Sequence, residues 1–408
     1  MGLTLLVSVK LRHMDLVKLR AWRFHRQGLD GGFAGLTPSQ ILESSGWSRS
    51  VGGANPYLAL RSRGGFSRQE VDEAVHGLHI HELPSARGCT YVVPKSHFGT
   101  ALVVGQGFGD EAAIAVATRH LGVTSEEIDR LGDKVCSALA QGPLDPRQMK
   151  TVLGDSVRSF GEEGKKRGVT TDLPLALGRL QSRGIIRRIS LSGRIDTQRY
   201  AYELWSPSPL ASGSWTKDDA IRTFAEHYFR WTGGATVKNF QWMSGLGVRA
   251  AQEVVFSLGL VPLTTGSELL ATPADAESFK SFDAPGTPCY ALVGSIDNLT
   301  HLTLGLTDTI DEADKNVSVP GDKGLVNVGG ISELTSHGIF DRGRLIGVWE
   351  YDSEAQQLLW KVWVDRTPEL EAKVRETEAF IQAELEDART FSLDSPQSRR
   401  QRLDALRN

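Results

Sequence analysis

One rhythm recurs three times along this chain: two or three short amphipathic helices, then a pair of short β-strands. Such a repeat constrains the fold more than any composition, because each copy is a supersecondary unit that buries one small apolar face. The first copy runs from Met14 to Pro94. Leu16, Leu19, Trp22 and Phe24 give its opening helix an apolar side. Thr37-Pro38 offers a capping hydroxyl and then proline at the first helical position, where the missing N–H is not needed, and the helix continues through Ile41 and Leu42. Ser67 with Glu70 forms a capping box ahead of Val71, Ala74 and Val75. Residues 78–82 and 90–93 read as a hairpin around the turn at 84–88.

The second copy covers residues 124–204. Thr124 with Glu127 is another capping box, Asp145-Pro146 opens a further helix, and Asp172 is expected to cap a helix over 173–183 that stops at Gly184. Strands follow at 185–191 and 198–204, with Ser192-Gly193 between them. The third copy covers 217–271: a helix over 218–231 with Ile221, Phe224, Ala225 and Tyr228 inward, helices over 236–244 and 248–258, and a short hairpin of 260–263 with 268–271. Beyond it, 290–304, 345–351 and 358–364 have the character of antiparallel strands, and the Gly- and Asp-rich 308–330 reads as a loop. Thr367-Pro368 opens a long charged helix to Arg389, and the polar tail from Ser392 is expected to be disordered.

The resulting fold class is α+β: three tandem winged-helix units, a C-terminal antiparallel β-rich region, and a long helix. The boundaries are 14–110, 111–210, 211–285, 286–391 and a tail at 392–408. A chain of 408 residues suits several domains of roughly 100–200 residues each. Forty-six basic against 49 acidic residues leave a net charge of -3, so bulk electrostatics do not advertise a polyanion partner. Binding depends on where charge sits, and local basic faces remain open. Cys89, Cys136 and Cys289 are odd in number, far apart and without metal-ligand spacing, which suits a reducing cytoplasm and argues against a disulfide framework or a zinc site. No apolar run reaches the ~20 residues that span a bilayer. The apolar 3–9 is too short for a leader and reads as a flexible extension, or as a consequence of start-codon choice ahead of Met14.

A three-helix unit closed by a two-stranded wing is a duplex-binding architecture, with the last helix in the major groove and the wing on the backbone or minor groove. The second copy carries the strongest charge signal. Arg179, Arg183, Arg187, Arg188, Arg194 and Arg199 lie on its third helix and wing, and Lys165, Lys166 and Arg167 just precede that helix. Guanidinium forks match phosphate oxygens two at a time. The plainer reading is a solvated, charge-balanced face.

In order along the chain, "LRAWRFHRQGL", "LALRSR", "RGCTYVVP", "YFRWTGGATVKNFQWMSGL", "LVGSIDNLTHL" and "GRLIGVW" make it resemble the winged-helix DNA glycosylases that repair alkylated or crosslinked bases. The resemblance spans residues 14–365. It implies tandem winged helices, duplex DNA as partner, and hydrolysis of an N-glycosidic bond without metal; no cofactor and a monomeric state are expected as well. It also implies a Gln-x-Gln or Gln-x-Asp element just before an Asp-Pro-like step. Here the nearest match is Gly52-Gly53-Ala54-Asn55-Pro56, so Gly52 and Ala54 fall on the glutamine positions and Asn55 is the polar side chain left to act. A shift of a few residues brings Ser48, Arg49 or Ser50 into play. Excision is therefore expected to be weak or absent.

Where relatives often carry Thr and His, the first wing has Cys89 and Tyr91. On the facing strand His79 and His81 share one side by period-two alternation, and Glu82 follows. These histidines either meet a minor groove or flipped nucleotide, or are ordinary surface histidines. "GQGFGD" at 105–110 and "GDKG" at 321–324 read as linker and turn, not phosphate cradles. Leu370, Val374, Phe380, Ile381 and Leu385 form a packing face, with dimerisation the sharper alternative. Two functions stay open: a repair or lesion-protection protein of the glycosylase family, or a non-catalytic transcription regulator or nucleoid-type binder that keeps the fold. A protein-interaction scaffold is a weaker third.

Overall fold

Helix starts follow the caps written in the sequence. The structure, a computed structural model, describes residues 15–211, 213, 215–321 and 324–407. The apolar start at 3–9, Met14 and the centre of the GDKG turn lie outside the described residues. Thr37, Ser67, Thr124 and Asp145 each accept from the backbone N–H three residues on, and the side chain at that third position reaches back. Each such cap is typically worth about 1 kcal/mol. Asp172 differs. It makes no cap on helix Leu173–Ser182; its Oδ1 instead accepts from the backbone N–H of Arg158 at 3.0 Å, tying down the preceding loop.

The first sheet has three antiparallel strands: β1 (Ser48–Arg49), β2 (Ile80–Pro84) and β3 (Thr90–Pro94), in the order β1-β3-β2. β1 is only two residues long, too short to leave a periodic signal. The hairpin of the second copy is β4 (Ile186–Ser190) with β5 (Tyr200–Leu204), and that of the third is β6 (Val261–Pro262) with β7 (Leu270–Ala271). Downstream come β8 (Tyr290–Val293), β9 (Ser318–Gly321), β10 (Gly324–Asn327), β11 (His337–Asp341), β12 (Arg344–Asp352) and β13 (Gln357–Val362). β13-β12-β11-β8 form a four-stranded antiparallel sheet, and β9 pairs β10.

Several sequence expectations change here. The strand expected over 290–304 ends at Val293, because Asp297 caps a short helix, Asn298–His301. The expected loop over 308–330 contains the β9–β10 hairpin. Regular helix from Pro368 stops at Phe380, followed by a wider turn at Ile381–Leu385. The expected linker at 105–110 runs straight into helix Gly109–Leu121. The tail, expected to be disordered, forms helix Pro396–Arg407. Ion pairs hold it there: Arg399 is bidentate to Asp387 at 2.8 and 2.9 Å, and Arg402 reaches Glu350 at 2.7 Å and Asp394 at 2.9 Å.

Packing joins segments that lie far apart in the chain. Helix Lys217–Thr232 buries Phe224, Tyr228 and Trp231 in one core with Trp47, which precedes β1, and Tyr91 of β3. Trp47 stacks on Phe224 with ring centroids 4.9 Å apart. Helix Asn55–Gly64 shares a second core with the four-stranded sheet and with the apolar face of Leu370, Val374, Phe380, Ile381 and Leu385. Residues between 113 and 202 form two further small cores. Among the described residues no helix is long and apolar enough to cross a membrane.

Candidate functional site

A cavity of about 360 Å³ lies between β2 and the β4–β5 hairpin. From β2 come His81 and Glu82, from β4 Arg187 and Arg188, and from β5 Tyr200 and Glu203.

Glu82 is 6% exposed. Its carboxylate accepts from the Ser50 hydroxyl and, at 3.1 Å, from the Tyr200 phenol. Burial pushes the Glu82 carboxyl above the usual range, while Arg188 and the two donors pull it down. Arg188 lies 4.7 Å over the Tyr200 ring, and its Nε is buried without a partner. His81 is buried edge-on to Trp205, 5.4 Å between centroids, and neither ring nitrogen has a partner. Burial, then Arg187 and Arg188, lower its pKa to about 3, so it is neutral at pH 7. At the rim Tyr57 donates to Asp72, which also binds Arg68 at 2.6 Å, and accepts from the Ile195 N–H at 3.0 Å. The cavity thus offers two carboxyls with a raised pKa, Glu82 and, near Tyr57, Asp72, together with two hydroxyls that hold Glu82, a neutral imidazole and a stacked guanidinium. That set can move a proton and face an anion.

Asn55 stands elsewhere. It is buried, with Nδ2 donating to the Arg49 carbonyl at 2.9 Å and to Ser48 Oγ at 3.3 Å, while Oδ1 has no partner. The segment before it is covered. Gly52 takes φ +72° beneath Gln198, a Cβ on Gly53 would run into the Thr390 carbonyl, and the Ala54 N–H donates to the Arg389 carbonyl at 2.8 Å. Side chains longer than these would have to displace the chain that runs over them.

The basic residues separate into two groups. Arg187 and Arg188 line the cavity, although Arg187 also pairs with Glu203. Arg199 is exposed and has no ion pair among the described residues. Arg179 is buried, with Nη1 donating to Ser125 Oγ at 2.9 Å and lying 3.2 Å from Asp129. Arg183 meets the same Asp129 at 3.0 Å. Arg194 is bidentate to Asp196 at 2.9 and 2.5 Å, and exposed Lys165 and Lys166 pair with Glu162 and Glu163. His79 precedes β2, in a turn, and is exposed, so it does not share a face with buried His81. Sequence reasoning missed Tyr200: nothing in its neighbours ties it to Glu82, and only the meeting of two hairpins does.

Residues 46–391 match the family model described as "DNA glycosylase AlkZ-like". Among solved structures, Streptomyces sahachiroi DNA glycosylase AlkZ is similar, with a TM-score of 0.66 over 92% of this chain and 98% of that one, at 20% identity. At that identity the likeness speaks for the fold. No curated protein matches the sequence.

Proposed function

The chain belongs to the DNA glycosylase AlkZ-like family, a family of DNA-repair proteins, and from that premise we propose that it binds duplex DNA and slowly hydrolyses the N-glycosidic bond of a damaged base at the Glu82 cavity. The observation that carries the reading is the buried Glu82 carboxyl, held by Ser50 and Tyr200 and faced by Arg188. In the reaction, the C1′–N bond breaks with its electron pair leaving on the base. Water adds at C1′ and gives its proton to ionised Glu82. An alkylated purine is already cationic, so it leaves as a neutral base and needs no separate acid. Positioned acid–base groups of this kind contribute typically 10²–10⁴-fold.

The lack of any polar side chain at positions 52 and 54 supports a rate below that of relatives with the glutamine motif. The same reading takes the protein as a cytoplasmic monomer that needs no metal or cofactor, built from three tandem winged-helix units over 14–110, 111–210 and 211–285. Support for the second unit is helix Leu173–Ser182 leading into the β4–β5 hairpin, with Arg187, Arg188 and Arg199 on that hairpin and its loop. DNA contact through Arg179, Arg183, Arg194, Lys165 and Lys166 would require each to give up an acidic partner, so they contribute less.

A direct test pairs a duplex-binding titration with single-turnover release of an alkylated purine. Release faster than the spontaneous rate is expected. Tight binding with release at the spontaneous rate would make the protein a non-catalytic binder.

A further inference from the structure

On the other side of the first sheet, four polar side chains converge, each with one buried atom that lacks a hydrogen-bond partner. Arg49 comes from β1, Arg87 from the β2–β3 turn, Tyr91 from β3 and His301 from helix Asn298–His301. Arg49 Nη1, Arg87 Nη1, the Tyr91 hydroxyl and His301 Nε2 are all buried without a hydrogen-bond partner. Tyr91 is 1% exposed. Neither arginine has an acidic partner among the described residues, whereas most arginines of this chain do.

Aromatic rings fix the two guanidinium groups. Arg49 Cζ lies 5.4 Å from the Tyr91 ring centroid, and Arg87 Cζ lies 4.1 Å from that of Trp242. Stacking holds the face of a guanidinium and leaves its N–H edge free. Trp242 in turn meets the His301 ring edge-on at 5.4 Å. Arg87 reaches this place from a left-handed backbone, φ 60°, which is uncommon for a residue with a Cβ and aims the side chain. Both arginines act electrostatically on both Tyr91 and His301, which places the four groups in one neighbourhood. Burial and these two charges lower the His301 pKa to about 4, so its ring is neutral and one nitrogen carries a proton. A cavity of about 300 Å³ lined by Trp242, Thr300, His301 and Thr303 opens beside the cluster.

The four groups are rich in donors and include no carboxylate, although Asp297 acts on His301 and Glu333 lines the neighbouring cavity. Buried donors without acceptors are costly, and an oxyanion relieves several at once. We propose that Arg49, Arg87, Tyr91 and His301 form a second binding site, built to take the non-bridging oxygens of one phosphodiester group of a DNA strand. The strand as ligand rests on the duplex-binding reading above; the oxyanion chemistry does not. Arg49 and Tyr91 lie in the strand register next to that of Glu82 and so on the opposite face of the sheet, where a bound phosphodiester would position the DNA strand.

The test uses the full chain. Duplex affinity is measured across a salt series for the unmodified protein, Arg49→Gln and Arg87→Gln, with thermal melts to check folding. In parallel, phosphorus NMR follows inorganic phosphate added alone. Each arginine variant is expected to flatten the log–log salt slope by about one unit, and inorganic phosphate is expected to bind weakly, with line broadening abolished in both variants. Unchanged slopes with folded variants overturn the strand assignment; unchanged slopes together with phosphate broadening retained in both variants overturn the site. If phosphate binds the unmodified protein but the slopes do not move, the site takes a small free anion instead. Failure of the unmodified protein to bind duplex at all counts against the proposed function, and phosphate broadening still decides the oxyanion site. Should a glutamine variant unfold, His301→Gln, which keeps a donor but shortens its reach, is measured in its place and is expected to weaken binding.

Discussion

The phenol of Tyr200 donates a 3.1 Å hydrogen bond to the carboxylate of Glu82, joining two hairpins that lie 118 positions apart in the chain. A donor to the charged form favours ionisation, so it offsets part of the burial that pushes the Glu82 carboxyl up. Glu82 must be ionised to take a proton from water, and the excision rate should therefore rise with pH through its raised pKa. Tyr200→Phe removes the donor and should move that rising limb to higher pH, with a smaller change in the plateau rate. Rates measured from pH 4 to 9 check this, and a limb that moves to lower pH contradicts it.

The charges nearest the cavity should act differently from those already paired. Replacing Arg187 and Arg188 with Ala should weaken duplex binding and flatten the salt slope by up to about two units, because each phosphate no longer neutralised lowers the slope by roughly one. Arg188 should supply the larger part, because Arg187 is engaged by Glu203. Arg179→Ala should leave the slope alone and lower the melting temperature, since its buried guanidinium is bonded to Ser125 and close to Asp129. A slope that responds to Arg179 and ignores Arg188 would reverse this order.

Arg63 and Asp297 form a buried bidentate ion pair, with both bonds at 2.8 Å and side chains 1% and 0% exposed. Arg63 also donates to Gln27 at 2.9 Å, so the pair ties three segments together. Removing one partner leaves an uncompensated buried charge. Asp297→Asn or Arg63→Met should cost about 3–5 kcal/mol, read from the urea midpoint at constant m-value. A loss below about 1 kcal/mol would mean that the site relaxes around the lone charge.

Acid should destabilise the fold through its buried histidines. His337 accepts the Ser295 N–H at its Nδ1 and donates from Nε2 to the Ala388 carbonyl, an arrangement only the neutral ring can make. Burial lowers its pKa to about 4, and lowers those of His81 and His97 to about 3. In the unfolded chain these rings titrate near 6.5. Below that value the unfolded state binds protons that the folded state refuses. Stability is thus fully present above about pH 6.5 and falls as pH drops toward about 4, by up to about 1.4 kcal/mol per pH unit for each such histidine. Urea midpoints at pH 7.5 and pH 5 check the sign; a higher midpoint at pH 5 contradicts it.

What could be read from the sequence was whatever local rules control. The caps at Thr37, Ser67, Thr124 and Asp145 depend on residues three apart, and all four formed. The apolar face of Leu370, Val374 and Ile381 depends on helical period, and it is buried. Long-range pairing left no such mark. β1 exists because two residues find β3, and helix Pro396–Arg407 because Arg399 and Arg402 find Asp387, Glu350 and Asp394. The site divides in the same way. Glu82, Arg187 and Arg188 were visible as chemistry on hairpins, while Ser50 and Tyr200 joined them only through the tertiary fold. Charge runs misled for a related reason: Arg179 and Arg194 look free in one dimension and are bound to acids in three.

In the proposed reaction Glu82, and not Asn55, carries the chemistry. Single-turnover release of an alkylated purine from duplex DNA should be measured for the unmodified protein, Glu82→Gln and Asn55→Ala, with binding and melting temperature followed for each. Glu82→Gln should keep duplex affinity and lose about 10²-fold or more in release, while Asn55→Ala, once corrected for any loss of folded protein, should release base at nearly the unmodified rate. Release that survives Glu82→Gln and collapses in folded Asn55→Ala would contradict it.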